Sequence, residues 1–287
     1  MGLHPQANHP ALRLVWCQRP QLERKMELAE AFGAGLPKGI DYRISHDFDK
    51  VEDADWLVLF GIGGVALRIH QMYRAAGIPV IYIDKGYFRN QGLWRVSVRD
   101  HQPLAYFQRN RPHDRADIEL APYHKGTHIL FDGASNKFCL WKDLGDWQDW
   151  GESVARKIQQ HSDWPIIYRP RPRHHHETKR PVGIEGTELS IGSLEDDLAR
   201  ARLCVSYGGN IGVDSVVSGV PHFALADSPA RPLSETRWEH LERLCIPTDT
   251  ERRQWLADLS YCNFSTEEFA SGFAWSHIEA EVMRAAR

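Results

Sequence analysis

The stretch SYGGNIGVDSVVSGVP (206–221) sets Gly208, Gly209 and Asn210 where an apolar, β-prone run hands over to a helical pattern. A strand that ends in glycines and turns into a helix leaves backbone N–H groups pointing at whatever lies above the bend. The helix N-terminus adds its own orphan donors and partial positive charge, so a phosphate is the natural guest. Asp214, one helical turn in, is placed to accept hydrogen bonds from ribose hydroxyls. Read without a ligand, the same residues form a plain βα turn whose short helix stops at Gly219 and Pro221. Upstream, YRPRPR (168–173) offers Arg169 and Arg171, and guanidinium groups clamp phosphate bidentately.

A second glycine bend lies in the first half. FGIGGVA follows a strand pattern and opens a helix, giving Gly61-x-Gly63-x-x-Ala66, with Asp84 closing the next strand pattern, PVIYID. This is close to a dinucleotide fingerprint, which keeps a nicotinamide- or flavin-dependent oxidoreductase as an alternative. A strand and helix precede the unit, so it is not the first βαβ of its sheet. Asp84 stands at the carboxyl end of a buried strand, where open α/β sheets place their chemistry, and is the candidate general base. Its bland reading is a turn carboxylate; His46, Asp47 and Asp49 in RISHDFD are held in reserve.

Arg109, Arg111 and Arg115 in RNRPHDR form a basic cluster suited to phosphates or to a solvated loop. The run His174–His176 with Glu177 invites a metal, but consecutive side chains cannot converge on one ion, so no metal site is expected. Trp141, Trp147 and Trp150 fall together near the middle of the chain, where one could stack on a base or sugar.

The 287 residues suit two domains or one large α/β domain. With 42% hydrophobic and 25% charged residues the chain has the composition of an ordinary globular protein. A net charge of -3 argues against a wholly basic nucleic-acid binder. Five scattered cysteines without a CxxC pair suggest neither a disulfide framework nor a zinc knuckle, and fit a reducing cytoplasm. The first residues lack a signal-peptide pattern and no apolar run reaches membrane-spanning length, so no membrane association is expected.

Strand and helix patterns alternate as in a parallel sheet flanked by helices, twice over. LRLVWC, DWLVLF and PVIYID read as strands of the first set; THILFDG and KFCLW read as short strands; DWQDWGESVARKIQQH reads as a helix. PIIYRP, LCVSY and HFALA follow as the second set, with Ser193 as the N-cap of a short acidic-headed helix. The expected division is an acceptor-side domain at 1–145, a nucleotide-binding domain at 146–264 and a terminal helix at 265–287. That helix opens with a Ser265–Glu268 capping box and docks through Phe269, Phe273 and Trp275.

The run SYGGNIGVDSVVSGVP resembles, without a gap, the donor-binding signature of GT-B glycosyltransferases, and YRPRPR resembles the Lys/Arg-Pro-His-Pro element of capsule-type sugar transferases. The likeness covers the second half of the chain. It departs from the family in Ser206, in Ile211 and Gly212 in place of a hydroxyl pair, and in Asp rather than Glu at 214. The resemblance implies an α/β fold of two Rossmann-like domains facing a cleft and transfer of a sugar from a nucleotide-diphosphate donor such as UDP-glucose. It also implies no tightly bound cofactor and no required divalent metal. Donor-binding roles fall on Arg169, Arg171, Gly208, Gly209, Asn210, Gly212 and Asp214, with acceptor roles on Gly61, Gly63, Arg109, Arg111 and Arg115. The sequence also looks like phage-type glycosyltransferases, which makes a 5-hydroxymethylpyrimidine in phage DNA the favoured acceptor and the host cytoplasm the location. A capsule or lipopolysaccharide glycan is the alternative acceptor, and a non-catalytic nucleotide-binding module is a further class.

Overall fold

A computed structural model describes residues 11–89, 91–101, 110–171, 182–244 and 246–285. Two sheets organise these residues. The first, of six strands, runs in the order β11-β5-β4-β3-β1-β2. Its parallel part is β1 (Arg13–Cys17), β2 (Asp41–Ser45), β3 (Trp56–Phe60) and β4 (Val80–Lys85), while β5 (Trp94–Val98) and the short β11 (Asn263–Phe264) add antiparallel edges. The helices α1 (Glu23–Ala34) and α2 (Val65–Ala75) connect β1 to β2 and β3 to β4. Trp56 to Leu59 of β3 are all buried because a parallel strand is covered on both faces, which is why its sequence, WLVLF, is continuously apolar.

The second sheet has five strands, all parallel, in the order β10-β9-β6-β7-β8. They are β6 (His128–Asp132), β7 (Ile166–Arg169), β8 (Glu188–Leu189), β9 (Ala201–Ser206) and β10 (His222–Ala224). Its helices are α3 (Asn136–Lys142), α4 (Trp147–Gln159), α5 (Leu194–Arg200) and α6 (Asn210–Val217). Ser193 caps α5 in a full capping box with Asp196, as its sequence anticipates. KFCLW, expected as a strand, is helical: Ser135 Oγ accepts the Phe138 N–H, and the helix ends at Asp143 in a left-handed conformation. That local cap outweighs the β-propensity of the aromatic residues.

β6 is the central strand of the second sheet, so the passage between sheets lies before residue 128 rather than at 145/146. The chain also returns. α7 (Asp249–Ser260) leads through β11 into α8 (Thr266–Ala270) and α9 (Phe273–Ala285), which pack on the first sheet. The Ser265–Glu268 capping box is present, but the expected single terminal helix breaks at Gly272, whose φ of +80° favours glycine. Phe269 and Trp275 are buried beside Phe32, whereas Phe273 stays part-exposed over Arg115. α8 crosses the end of α1 so closely that a Cβ on Gly35 would collide with the Phe269 carbonyl.

Tyr87 and Phe88 from the first unit, Val213 and Val216 from α6, and Trp255, Leu256 and Leu259 from α7 share one apolar core that joins the two halves. Lys142 of α3 bonds Asp100 at 3.2 Å, and Trp141 stacks on His70 with centroids 3.9 Å apart. Trp147 and Trp150, partly buried, pack against the core of the second unit. Among the described residues no helix is long and apolar enough to cross a membrane.

Candidate functional site

Each sheet reverses its winding once: between β1 and β3 in the first, and between β6 and β9 in the second. Open α/β sheets bind ligands outside the carboxyl ends of their strands at such reversals. A cleft of about 540 Å³ lies where the two sets of strand ends face one another. One wall is Phe60 to Gly63 after β3, with Asp84 and Lys85 at the end of β4. The other is Ser135 to Phe138 after β6, Arg171 after β7, and Gly208 to Asn210 after β9. The two glycine bends found in the sequence thus meet across one space.

Its charge is one-sided. Lys25, Lys85, Arg95, Lys137 and Arg171 line the cleft, against a single lining carboxylate, Asp84, among the described residues. Gly209, with φ +99°, caps α6, and a Cβ there would lie 3.0 Å from Arg171 Nη2. Arg171 donates from Nε to the Gly133 carbonyl at 2.9 Å and from Nη2 to the Gly208 carbonyl at 3.1 Å. It also lies 2.5 Å from Asp132 Oδ2, an ion contact without hydrogen-bond alignment. Burial pushes the Asp132 carboxyl up to about 6 against the pull of Arg171 and Arg169.

Asp84 Oδ2 sits 2.9 Å from His101 Nε2 and 3.5 Å from Arg95 Nη2. Burial works to raise its pKa, but the His101 hydrogen bond and the Arg95 charge outweigh it and hold the carboxyl below the usual carboxylate range. Burial and Arg95 bring His101 down to about 4, so the ring is neutral near pH 7. Arg95 Nη1 reaches across to Asn210 Oδ1 at 3.3 Å, and Asn210 Nδ2 donates to the Gly86 carbonyl at 2.8 Å. The Asn210 side chain therefore ties the two halves together beneath the cleft.

Of the residues singled out in the sequence, Gly61, Gly63, Asp84, Arg171, Gly208, Gly209 and Asn210 come together here. Others do not. Gly212 faces inward, where a Cβ would meet His222 Cε1 at 2.9 Å and Ala230 Cβ at 3.0 Å, so its role is packing. Arg169 points to the buried Asp197 at 2.6 Å and is absent from the cleft wall. Asp214 also lies off the wall, with Arg89 Nε 3.0 Å from both its oxygens and Arg89 Nη2 at 2.9 Å. Arg111 stacks on Tyr261 at 4.1 Å, and Arg115 pairs with Glu268 and the Asn263 carbonyl, so neither reaches the cleft. Arg109 and the run His174–Glu177 lie outside the described residues. Among those described, no cluster of metal ligands forms. His46 bonds the Gln18 carbonyl, Asp47 pairs with Lys50 and Asp49 with Arg68.

Lys25, Arg95, His101 and Lys137 were missed. Lys25 falls in a helical pattern, where it looks like a solvent-facing charge, and Lys137 opens KFCLW, which reads as a strand. Arg95 carried a signal: a lone charge inside the apolar strand pattern WRVSV.

The architecture and site define an α/β protein of two Rossmann-like units facing a cationic cleft. No protein-family model and no curated protein matches the sequence. Solved structures similar to the chain include two KpsC structures of Thermosulfurimonas dismutans. The β-Kdo 2,4 transferase has TM-score 0.48 and 12% identity, over 87% of this chain and 91% of the other. The β-Kdo 2,7 transferase has TM-score 0.49 and 12% identity, over 92% and 99%. A UDP-GlcNAc 2-epimerase of Methanocaldococcus jannaschii is similar at TM-score 0.32 and 12% identity, over 94% and 99%.

Proposed function

We propose that the protein transfers a sugar from a nucleotide-diphosphate donor to a hydroxyl of a glycan acceptor. The observation that carries this reading is the cleft itself: five cations, two glycine bends and one carboxylate gathered where the strand ends of the two sheets face one another. Backbone donors at Gly209 and Asn210, the α6 N-terminus and Arg171 hold the diphosphate and stabilise its charge as it leaves. Asp84, ionised and oriented by His101 and Arg95, takes the proton of the acceptor hydroxyl as the new C–O bond forms. No step in this scheme requires a metal or a bound cofactor.

A glycan of capsule or lipopolysaccharide type is favoured over a hydroxymethylated base in DNA. The arginines expected to grip a DNA backbone, Arg111 and Arg115, are committed to Tyr261, Glu268 and Asn263 within the fold. The test is release of nucleoside diphosphate from UDP, GDP and ADP sugars, and of CMP from CMP sugars, with and without oligosaccharide acceptors. Release of UDP, GDP or ADP that rises with an oligosaccharide supports the reading; no release from any donor refutes it.

A further inference from the structure

Asp214 is nearly enclosed, and both its oxygens are held by one guanidinium from the other half of the molecule, Arg89. Arg89 itself is half exposed and stands in the segment between β4 and β5. The same segment supplies the Gly86 carbonyl that holds Asn210. The two side chains of the α6 turn best able to recognise a nucleotide are thus already hydrogen-bonded, by residues 86 and 89 of the facing wall. The open cleft ends at Asn210 and does not reach Asp214.

We infer that Arg89 is a built-in competitor for the nucleoside end of the donor, displaced from Asp214 when the ribose hydroxyls bind. The inference rests on the proposed function. The diphosphate can enter the open cleft beside Arg171 without disturbing Arg89, but the nucleoside cannot reach Asp214 while the pair is closed. Ligand affinity is then reduced by the fraction of molecules in which the pair is shut. A diol can replace the guanidinium because it, too, offers the enclosed carboxylate two hydrogen-bond donors. The exchange makes Arg89 an affinity-setting residue specific to ligands that carry a ribose.

The experiment is calorimetric titration of wild type, Arg89→Ala and Arg89→Lys with UDP and, separately, with inorganic pyrophosphate. The expected result is UDP binding about three- to tenfold tighter in Arg89→Ala, with Arg89→Lys between it and wild type, since an ion pair of this exposure is worth about 1 kcal/mol. Pyrophosphate affinity stays level or falls slightly with the lost charge. Unchanged or weaker UDP binding in Arg89→Ala, beside normal wild-type binding, overturns the exchange and leaves the proposed function standing. Equal tightening for pyrophosphate also overturns it, because the effect would then lie in the cleft and not at Asp214. Failure of pyrophosphate and of UDP, GDP and ADP alike to bind any of the three proteins refutes the proposed function together with the exchange.

Discussion

His101 and Asp84 meet at 2.9 Å on the wall of the cleft, a neutral buried imidazole set against an ionised carboxylate. His101 is 4% exposed, so the ligand side of the pair belongs to Asp84. Replacing Asp84 by Asn keeps the shape and removes the proton acceptor. The expected outcome is a fall in kcat of about 10²- to 10⁴-fold with nucleoside diphosphate affinity unchanged, measured by steady-state kinetics and calorimetry.

Gly209 and Gly212 separate function from packing within one turn. Gly209→Ala forces a side chain into φ +99° and against Arg171, so ligand affinity should fall. Gly212→Ala presses on His222 and Ala230 inside the fold and should lower stability by about 1–3 kcal/mol. Urea unfolding and ligand titration on both variants check the contrast.

Arg171 neutralises Asp132 at the base of the cleft. Arg171→Met leaves a buried carboxyl without its cation, and a loss of about 3–5 kcal/mol is expected. Adding Asp132→Asn should restore much of that stability without restoring anion affinity. Recovery of both would show that Arg171 does not hold the ligand.

Acid should weaken the fold through buried histidines. Burial lowers His222 to about 3 and, with smaller charge effects, His70 and His101 to about 4. Each lies below its unfolded value near 6.5, so the unfolded chain binds more protons below pH 6.5 and stability falls as pH drops from there toward 4. Asp132, raised to about 6, opposes this, because the native state takes up its proton first. The three histidines outweigh it. His222 bonds Ser206 and Ser234 through its two nitrogens, and its share between pH 7 and pH 5 is about 2 kcal/mol. His222→Gln should therefore show a smaller loss of urea midpoint than wild type over that interval.

Much of the site was legible in the sequence because its signals are local. Gly208–Gly209 between a strand and a helix pattern, Gly61–Gly63 in the same position, and Asp84 at a strand end each report a bend over a sheet edge. The failures are of another kind. Gly212 looks like a ligand glycine until His222 and Ala230 are seen against it, and those contacts depend on how β10 and the following turn pack on α6. Arg169 and Arg171 are equivalent in sequence and each pairs with a buried carboxylate, but Arg169 is drawn to Asp197 away from the cleft whereas Arg171, on Asp132, stays in its wall. The division between halves was misplaced because β6 stands first in its sheet without a preceding helix to mark the change. Arg111 and Arg115 were basic enough for a nucleic acid, and only the return of the chain through α7 to α9 shows what they hold.

The most direct measurement is a thermal-shift titration of the protein against UDP, UDP-glucose, UDP-N-acetylglucosamine, GDP-mannose, CMP sugars, NAD and NADP. One nucleoside diphosphate series is expected to stabilise the fold, by about 2.7 kcal/mol at 100 times its Kd, and to lose that effect in Arg171→Met/Asp132→Asn. Stabilisation by NAD or NADP alone would contradict it and make the Gly61–Gly63 bend the cofactor site.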